Sequence, residues 1–218
     1  MDTQVIAEAP ARYLTSGMGD ALATWFEAES CRVGRAANIA GGLTSMTAIT
    51  LARLCYDTIR EYGPVALVSC RAKVATPALE RVVEANTLLS GLGFESGGLA
   101  AAHSLHNGLT ALPKSQDFYH GEKVAFGVLA ALFLTDKSPE LMNEVYGFSE
   151  SVGLPTTLAA LGLEGISEAD LMRVADKACA PGESIHNEPF EISPQRVADA
   201  IKAADAHGRE LTTRSLRK

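Results

Sequence analysis

Residues 91–108 read Gly91-Leu-Gly-Phe-Glu-Ser-Gly-Gly-Leu-Ala-Ala-Ala-His103-Ser-Leu-His106-Asn-Gly, and residues 118–127 read Phe118-Tyr-His120-Gly-Glu-Lys-Val-Ala-Phe-Gly. Each of these two stretches has a glycine-rich turn or a break, followed by a histidine and then by helix-forming sequence. The pattern predicts two helices with a histidine near each start. Together with Asp20, the two imidazoles could form a divalent-metal site with an open position, which can polarise an oxygen atom.

Helical periodicity continues outward from this region along most of the chain. Apolar residues recur at helical spacing in residues 51–62 and 79–89. Strand signals are scarce, because aromatic residues make up only 6% of the chain and no alternating run is flanked by hairpin turns. We therefore expect an all-α fold, a bundle of roughly eight to ten helices, with residues 1–218 forming one helical metal-binding domain.

Several helix ends can be predicted from local sequence. Thr76-Pro77 and Ser193-Pro194 each offer an N-cap followed by proline at the first helical position, and Ser167 with Asp170 resembles a capping box. We expect helices to end at Gly63-Pro64, at Gly153-Leu-Pro155 and at His207-Gly208.

Composition narrows the functional class. The chain has 218 residues, 47% of them hydrophobic, and a net charge of −7, which argues against a nucleic-acid partner. The four widely spaced cysteines indicate free thiols in a reducing cytosol. The longest apolar stretch, Val124 to Leu134, is too short to span a bilayer, and Met1-Asp-Thr-Gln does not open a signal peptide. We expect a cytoplasmic protein with no membrane partner.

Each candidate ligand also has a simpler interpretation. The segment containing Asp20 looks like a helix that begins near Gly19, where an acidic residue favours the helix dipole and need do nothing more. His103 and His106 can lean to one helix face, but a histidine in an alanine-rich helix is commonly a core residue. His120 could be a surface residue near a helix start.

A near miss to a dinucleotide-binding fingerprint occurs at Gly91-x-Gly93-x-x-Ser-Gly97. Its spacing is off by one, and the residues before it are helical, whereas the fingerprint follows a strand. We reject a nucleotide-binding role for these glycines.

Four segments closely resemble bacterial glycerol dehydrogenases, members of the iron-containing alcohol dehydrogenase family. They are Gly17-Met-Gly-Asp-Ala-Leu-Ala-Thr-Trp-Phe-Glu-Ala, Thr76-Pro-Ala-Leu-Glu-Arg-Val-Val-Glu-Ala-Asn, Gly93-Phe-Glu-Ser-Gly-Gly-Leu-Ala-Ala-Ala-His-Ser-Leu-His-Asn-Gly and His120-Gly-Glu-Lys-Val-Ala-Phe-Gly. The likeness runs through essentially the whole chain. It implies the C-terminal helical domain of a dehydroquinate-synthase-like fold.

The resemblance implies a ligand set and a reaction. Its metal ligands fall on Asp20, His103 and His120, and Thr24 stands where iron-using relatives carry a fourth ligand, so zinc is the expected ion. Phe94 matches a residue of the polyol pocket, and His106 is a candidate catalytic residue that acts beside the metal or relays a proton. The implied reaction is NAD-dependent oxidation of glycerol to dihydroxyacetone, with zinc as Lewis acid and glycerol or another small polyol as partner.

The resemblance also implies that a nucleotide-binding domain precedes such a helical domain, and Met1-Asp-Thr-Gln matches the junction between the two. We therefore expect this chain to bind zinc, to have no NAD site of its own and to be nearly inactive alone. A non-catalytic oligomerisation module that keeps the metal site is the alternative, since the family implies a homo-oligomer. Metal-assisted hydrolysis with Glu95 or Glu122 as base is a third possibility.

Overall fold

The computed structural model describes residues 1–215, which form a bundle of α-helices. Short 3-10 segments lie at residues 113–117, 159–161 and 184–187. In chain order the α-helices are α1 (Thr3–Glu8), α2 (Ala11–Gly34), α3 (Met46–Arg71), α4 (Pro77–Glu84), α5 (Ser90–Gly97), α6 (Ala101–Leu109), α7 (His120–Leu134), α8 (Pro139–Val152), α9 (Glu168–Ala178) and α10 (Pro194–Ser215).

Helices α4 and α5 are joined without a break by a π-helical turn, Ala85–Leu89, so that they form one rod. Across residues 1–215 the only extended pairing is an isolated antiparallel bridge between Ala37 and Leu43. The predicted all-α class and the predicted number of helices are both confirmed.

Most of the predicted helix ends are found in the structure. The Thr76 hydroxyl accepts a hydrogen bond from the Leu79 N–H, and α4 starts with proline. The Ser167 hydroxyl accepts from the Asp170 N–H and so caps α9, as predicted, and it donates to the Asp170 carboxylate. A full capping box would instead have that carboxylate accept from the Ser167 backbone N–H. Helix α8 ends at Gly153, whose φ of +77° suits a glycine C-cap.

Two predicted helix ends, Gly63-Pro64 and His207-Gly208, are wrong. Helix α3 continues past Pro64, because Leu67 and Cys70 beyond it are buried and their burial outweighs the roughly 3 kcal/mol cost of an internal proline. Helix α10 continues past Gly208, where a Cβ would lie 2.0 Å from the Thr156 carbonyl oxygen. That glycine permits a close approach and does not end the helix.

Helix α2 begins at Ala11 and not near Gly19 as the sequence suggested, so Asp20 lies in the helix interior. The glycines that looked like helix breaks are points where helices touch. A Cβ on Gly19 would lie 2.3 Å from the Gly121 carbonyl oxygen, and one on Gly121 would lie 1.8 Å from the Ser16 carbonyl oxygen. Helices α2 and α7 therefore meet with their backbones in contact.

Helix α7 runs through the core, and nearly all of its side chains after His120 are buried. A similar glycine contact joins it to α6, since a Cβ on Gly127 would lie 2.5 Å from the Ala102 carbonyl oxygen. In the part of the chain that the structure describes, no helix is both long and apolar enough to cross a membrane. The cysteines are free thiols: Cys31, Cys55 and Cys70 are buried, and Cys179 is partly exposed.

Candidate metal centre

Asp20, His103 and His120, which are far apart in the sequence, meet at one point of the bundle. The Asp20 Oδ1 atom lies 3.0 Å from His120 Nε2 and 3.3 Å from His103 Nε2. One donor atom from each residue lies within 4.8 Å of the other two. The structure therefore brings together the three residues that the sequence suggested, in a cluster that can hold a metal ion.

The spacing of these donor atoms suits a small divalent ion. Tetrahedral zinc with bonds of about 2.0–2.1 Å holds neighbouring ligand atoms roughly 3.3 Å apart. Both Asp20 distances, 3.0 and 3.3 Å, are close to that value. The side chain of His120 is 50% exposed and that of His103 only 17%, so the cluster opens to solvent on the His120 side. A substrate oxygen can approach from there.

Close helix contacts explain why these residues meet. Asp20 follows Gly19 on α2, and His120 precedes Gly121 on α7, so the backbone contact between the two glycines lies beside both ligands. His103 follows Ala102, whose carbonyl oxygen lies against Gly127. Each ligand thus flanks a point where two helices approach without an intervening side chain.

The electrostatics of the cluster favour positive charge. Burial raises the pKa of Asp20, but hydrogen bonds from His103 and His120 outweigh it and hold that pKa well below its ordinary value. Burial lowers the pKa of His103, but the neighbouring carboxylates Glu27 and Asp20 raise it to about 10. A proton or a metal cation is therefore stabilised between these groups.

A series of hydrogen bonds runs from His120 through His106 and Asn107 to Glu183. The Asn107 side-chain amide donates to Glu183 Oε2 at 2.9 Å, so its Oδ1 atom must accept, from His106 Nδ1 at 3.1 Å. His106 Nε2, 3.2 Å from His120 Nδ1, then accepts from that nitrogen. The other ring nitrogen of His120, Nε2, lies 3.0 Å from Asp20 Oδ1 and is the atom of this ring that could bind a metal in place of a proton.

His106 itself stays neutral near pH 7. Burial and the positive charge on His120 lower the pKa of His106 to about 4. This agrees with the hydrogen-bond directions, in which one ring nitrogen of His106 donates and the other accepts.

Glu27 is the partner of His103. Its side chain is 2% exposed, and its Oε2 atom lies 2.6 Å from His103 Nδ1. Its Oε1 atom accepts from the backbone N–H groups of Ala100 and His103, both at 2.9 Å. Glu188, also buried, accepts from the Ala101 N–H, and its burial raises its pKa. Two carboxylates therefore bind the free N–H groups that open α6.

The remaining candidate residues lie around the cluster in different roles. Thr24 is buried, its hydroxyl 3.0 Å from that of Ser90, and its methyl group packs against Gly93. Phe94 lies partly exposed in α5, and within residues 1–215 no hydrogen bond or ring contact joins it to the cluster. Glu122 binds Arg12 through both oxygens at 2.6 and 2.8 Å, which leaves it poorly placed to act as a base, and Glu95 is exposed.

Comparison with known proteins identifies relatives of the chain. No protein-family model matches it. Glycerol dehydrogenase from Thermotoga maritima is 63% identical over 209 residues, which are 96% of this chain and 57% of the relative. Glycerol dehydrogenase from Citrobacter freundii is 51% identical over 98% of this chain and 59% of its own length. A glycolaldehyde reductase from Halobacterium salinarum is 48% identical over a similar range.

Solved structures of glycerol dehydrogenases are similar to this chain as well. Glycerol dehydrogenase from Schizosaccharomyces pombe superposes with a TM-score of 0.96 at 44% identity, over 98% of this chain and 55% of that one. This chain is similar to glycerol dehydrogenases over nearly its whole length. An iron-containing alcohol dehydrogenase from Thermococcus thioreducens shares the fold, with a TM-score of 0.70 at 18% identity.

These matches cover only part of each relative's length. The chain spans about 57–59% of the length of the curated glycerol dehydrogenases from Thermotoga maritima and Citrobacter freundii. The described residues account for the helical part that the resemblance implied.

Sequence reasoning missed some of the site. It gave no role to Glu27, Asn107 or Glu183. A signal for Glu27 was available, because it follows Asp20 by seven positions and so lies on the same face of α2. Nothing in the sequence places Glu183 beside Asn107.

Proposed function

We propose that this chain is the metal-binding part of a glycerol dehydrogenase, and that its whole protein oxidises glycerol to dihydroxyacetone with NAD as hydride acceptor. The observation that carries this proposal is the cluster of Asp20, His103 and His120, found in a chain 63% identical to a glycerol dehydrogenase. The 48% identity to a glycolaldehyde reductase supports the same class of small, hydroxylated substrate.

Zinc is the ion that we propose for the cluster. One carboxylate and two imidazoles leave an open fourth position, as catalytic zinc sites do. Thr24 cannot act as a further ligand from its present place, because its hydroxyl bonds to Ser90 and its methyl group packs on Gly93. A divalent ion bound here supplies Lewis-acid polarisation of an alcohol oxygen.

The protein's own groups prepare that site. Asp20 supplies a carboxylate held in its charged form, and His103 and His120 direct their Nε2 atoms toward it. For His106 we propose a positioning role, since its Nε2 lone pair already accepts from His120 Nδ1 and so keeps the His120 Nε2 lone pair free. For Phe94 we propose contact with the polyol carbons once substrate lies at the open side.

In the whole reaction, a hydride leaves the secondary carbon of glycerol for the nicotinamide and the hydroxyl proton is released. We propose that NAD binds residues beyond this chain, because the described residues form a helical bundle and the relatives are longer. Positioning two reactants together can supply roughly 7–11 kcal/mol of barrier lowering, so this chain alone should turn over glycerol very slowly. NAD-dependent oxidation by the chain at the rate of a full-length relative would contradict this.

Metal binding is the first test. The purified chain should bind zinc, measured by competition with a chromophoric chelator and by elemental analysis. Asp20→Asn, His103→Ala and His120→Ala should each weaken binding by more than the 10–100-fold typical of an outer residue. His186→Ala is the matched control, since its ring nitrogen Nε2 bonds to the carbonyl oxygens of residues 179 and 180 and not to the cluster. Equal affinities in all four variants would refute the site.

Substrate class is the second test. Cobalt(II) replaces zinc in such sites and reports its surroundings by visible absorption. Glycerol should change the absorption of the cobalt-loaded chain, whereas propan-1-ol, which lacks a neighbouring hydroxyl, should have a smaller effect. If neither alcohol changes the spectrum at saturating concentration, the proposed substrate class is wrong.

The homo-oligomer expected from the resemblance remains a prediction. If the chain serves chiefly as an oligomerisation module, multi-angle light scattering will show the same stable oligomer after His103→Ala and His120→Ala. For the hydrolytic alternative, the pairing of Glu122 with Arg12 leaves no free buried base at that position.

A further inference from the structure

Glu27 is a buried carboxylate that the proposed reaction does not use. Placing an ionised carboxylate where only 2% of its side chain is exposed costs several kcal/mol unless it is well hydrogen-bonded. Within residues 1–215, the donors that compensate the burial all belong to the start of α6: the N–H groups of Ala100 and His103 and the imidazole of His103. The Glu27 carboxylate therefore bonds to the same segment that carries His103, the proposed metal ligand.

The direction of the bond to His103 follows from the chemistry of the partners. An ionised carboxylate can only accept, so the hydrogen between Glu27 Oε2 and His103 Nδ1 lies on the nitrogen. The other ring nitrogen, Nε2, is 3.3 Å from Asp20 Oδ1. A neutral His103 held in this way has its only lone pair on Nε2, on the metal side.

Helix α2 supplies both sides of this arrangement. Asp20 and Glu27 are seven positions apart, about two helical turns, and therefore face α6 from the same side of α2. Asp20 lies at the Nε2 edge of the His103 ring and Glu27 at the Nδ1 edge. The ring is thus clamped between two carboxylates that one rigid helix holds at a fixed separation.

We propose that Glu27 is the positioning residue for His103: it holds the imidazole in the Nδ1–H form and orients its Nε2 atom toward the cation site. The inference rests on the proposed function only in taking that cluster as a metal site. Outer-sphere carboxylates of this kind raise the basicity of a ligating histidine and fix its orientation, and their loss typically costs 10–100-fold in metal affinity.

A purely structural role is the rival interpretation, since Glu27 also caps α6 through its Oε1 atom. Glu27→Gln separates the two roles. The glutamine oxygen can still accept from the N–H groups of Ala100 and His103. Its NH2 group, however, faces His103 Nδ1 as a donor, which favours the hydrogen on Nε2 and so blocks the lone pair that a metal needs.

The test compares zinc affinity in the wild-type chain, Glu27→Gln, Glu27→Asp and Glu29→Gln. Glu29 is the matched control, because it lies on the same helix and pairs with Lys137 at 2.7 Å away from the cluster. We expect Glu27→Gln to raise the zinc Kd 10–100-fold, Glu27→Asp to restore part of the loss, and Glu29→Gln to leave the Kd within about twofold. The cobalt absorption of Glu27→Gln should shift as well.

An unchanged Kd in a folded Glu27→Gln chain would overturn the proposal, and so would an equal loss in Glu29→Gln. If Glu27→Gln does not fold, proton NMR of the zinc-loaded wild-type chain decides. A slowly exchanging imidazole N–H resonance far downfield, absent in His103→Ala, supports the proposal; its absence in the wild-type chain refutes it. Failure of glycerol to affect the cobalt spectrum would count against the proposed function and leave these comparisons intact.

Discussion

Replacing Gly121 by alanine tests how the helix crossing builds the metal centre. A Cβ there would lie 1.8 Å from the Ser16 carbonyl oxygen, and Cβ atoms essentially never come closer than 3.0 Å to such an atom. Helices α2 and α7 must therefore separate locally by at least 3.0 − 1.8 = 1.2 Å. The atom in the way is backbone, so no side-chain rotation can relieve the clash.

Two consequences follow from that displacement. Overpacking of this kind costs about 1–3 kcal/mol, which for a chain of this size lowers Tm by roughly 2–12 °C. The displacement also separates Asp20 from His120, whose ligand atoms now lie 3.0 Å apart, so zinc affinity should fall. Since both ligands adjoin the crossing, stability and metal binding should decline together.

The assay is a thermal melt of the metal-free chain followed by circular dichroism, with a zinc titration of the same sample. Gly147→Ala is the matched control, because Gly147 lies exposed within α8 and a Cβ there has open space. That substitution should stabilise the chain by about 0.5–1 kcal/mol, as alanine favours a helix interior. A Gly121→Ala chain that melts at or above the wild-type temperature would refute the reasoning.

Three further predictions concern charge and capping. In the metal-free chain, the pKa of His103 is raised to about 10 from 6.5. The contribution of this proton to the free energy of unfolding is therefore fully present below pH 6.5 and is lost as the pH rises toward 10. Urea denaturation in the presence of a chelator should show this decline in stability, and His103→Gln should remove it. Arg12→Ala should cost about 1–3 kcal/mol, because it leaves the buried Glu122 carboxylate without its bidentate partner; equal urea midpoints would contradict this. Ser167→Ala should cost about 1 kcal/mol through loss of the α9 cap, while Ser151→Ala on the surface of α8 should cost less in the same denaturation series.

Local sequence determined the helices and most of their starts. Apolar periodicity and cap residues such as Thr76 and Ser167 act over a few positions, so their effect can be read without knowing the fold. The resemblance of four segments to known enzymes also pointed to Asp20, His103 and His120, and the structure confirms that these three residues are neighbours in space. Without the resemblance, each of these three residues also had a structural explanation: a helix-dipole role for Asp20, a core position for His103 and a surface position for His120.

Three glycines show where the prediction of helix boundaries from local sequence fails. Local sequence predicts helix boundaries near Gly19, Gly63 and Gly208, but each of these glycines lies inside a helix. A glycine weakens a helix locally by about 1 kcal/mol. It is kept there because a neighbouring carbonyl oxygen or side chain occupies the space of its Cβ, and the identity of that neighbour depends on distant chain segments.

What the sequence alone determined is the helical class, since it follows from patterns within a few turns of chain. The choice of Asp20, His103 and His120 as candidate ligands came from the resemblance of whole segments to known enzymes. The tertiary structure alone decided that α2, α6 and α7 meet at glycine contacts, and hence that Asp20, His103 and His120 share one site. It also decided that Glu27 and His106 hold the two imidazoles. Side-chain hydrogen bonds reach only about 3 Å, so their partners are set by how the helices pack and not by the order of residues along them.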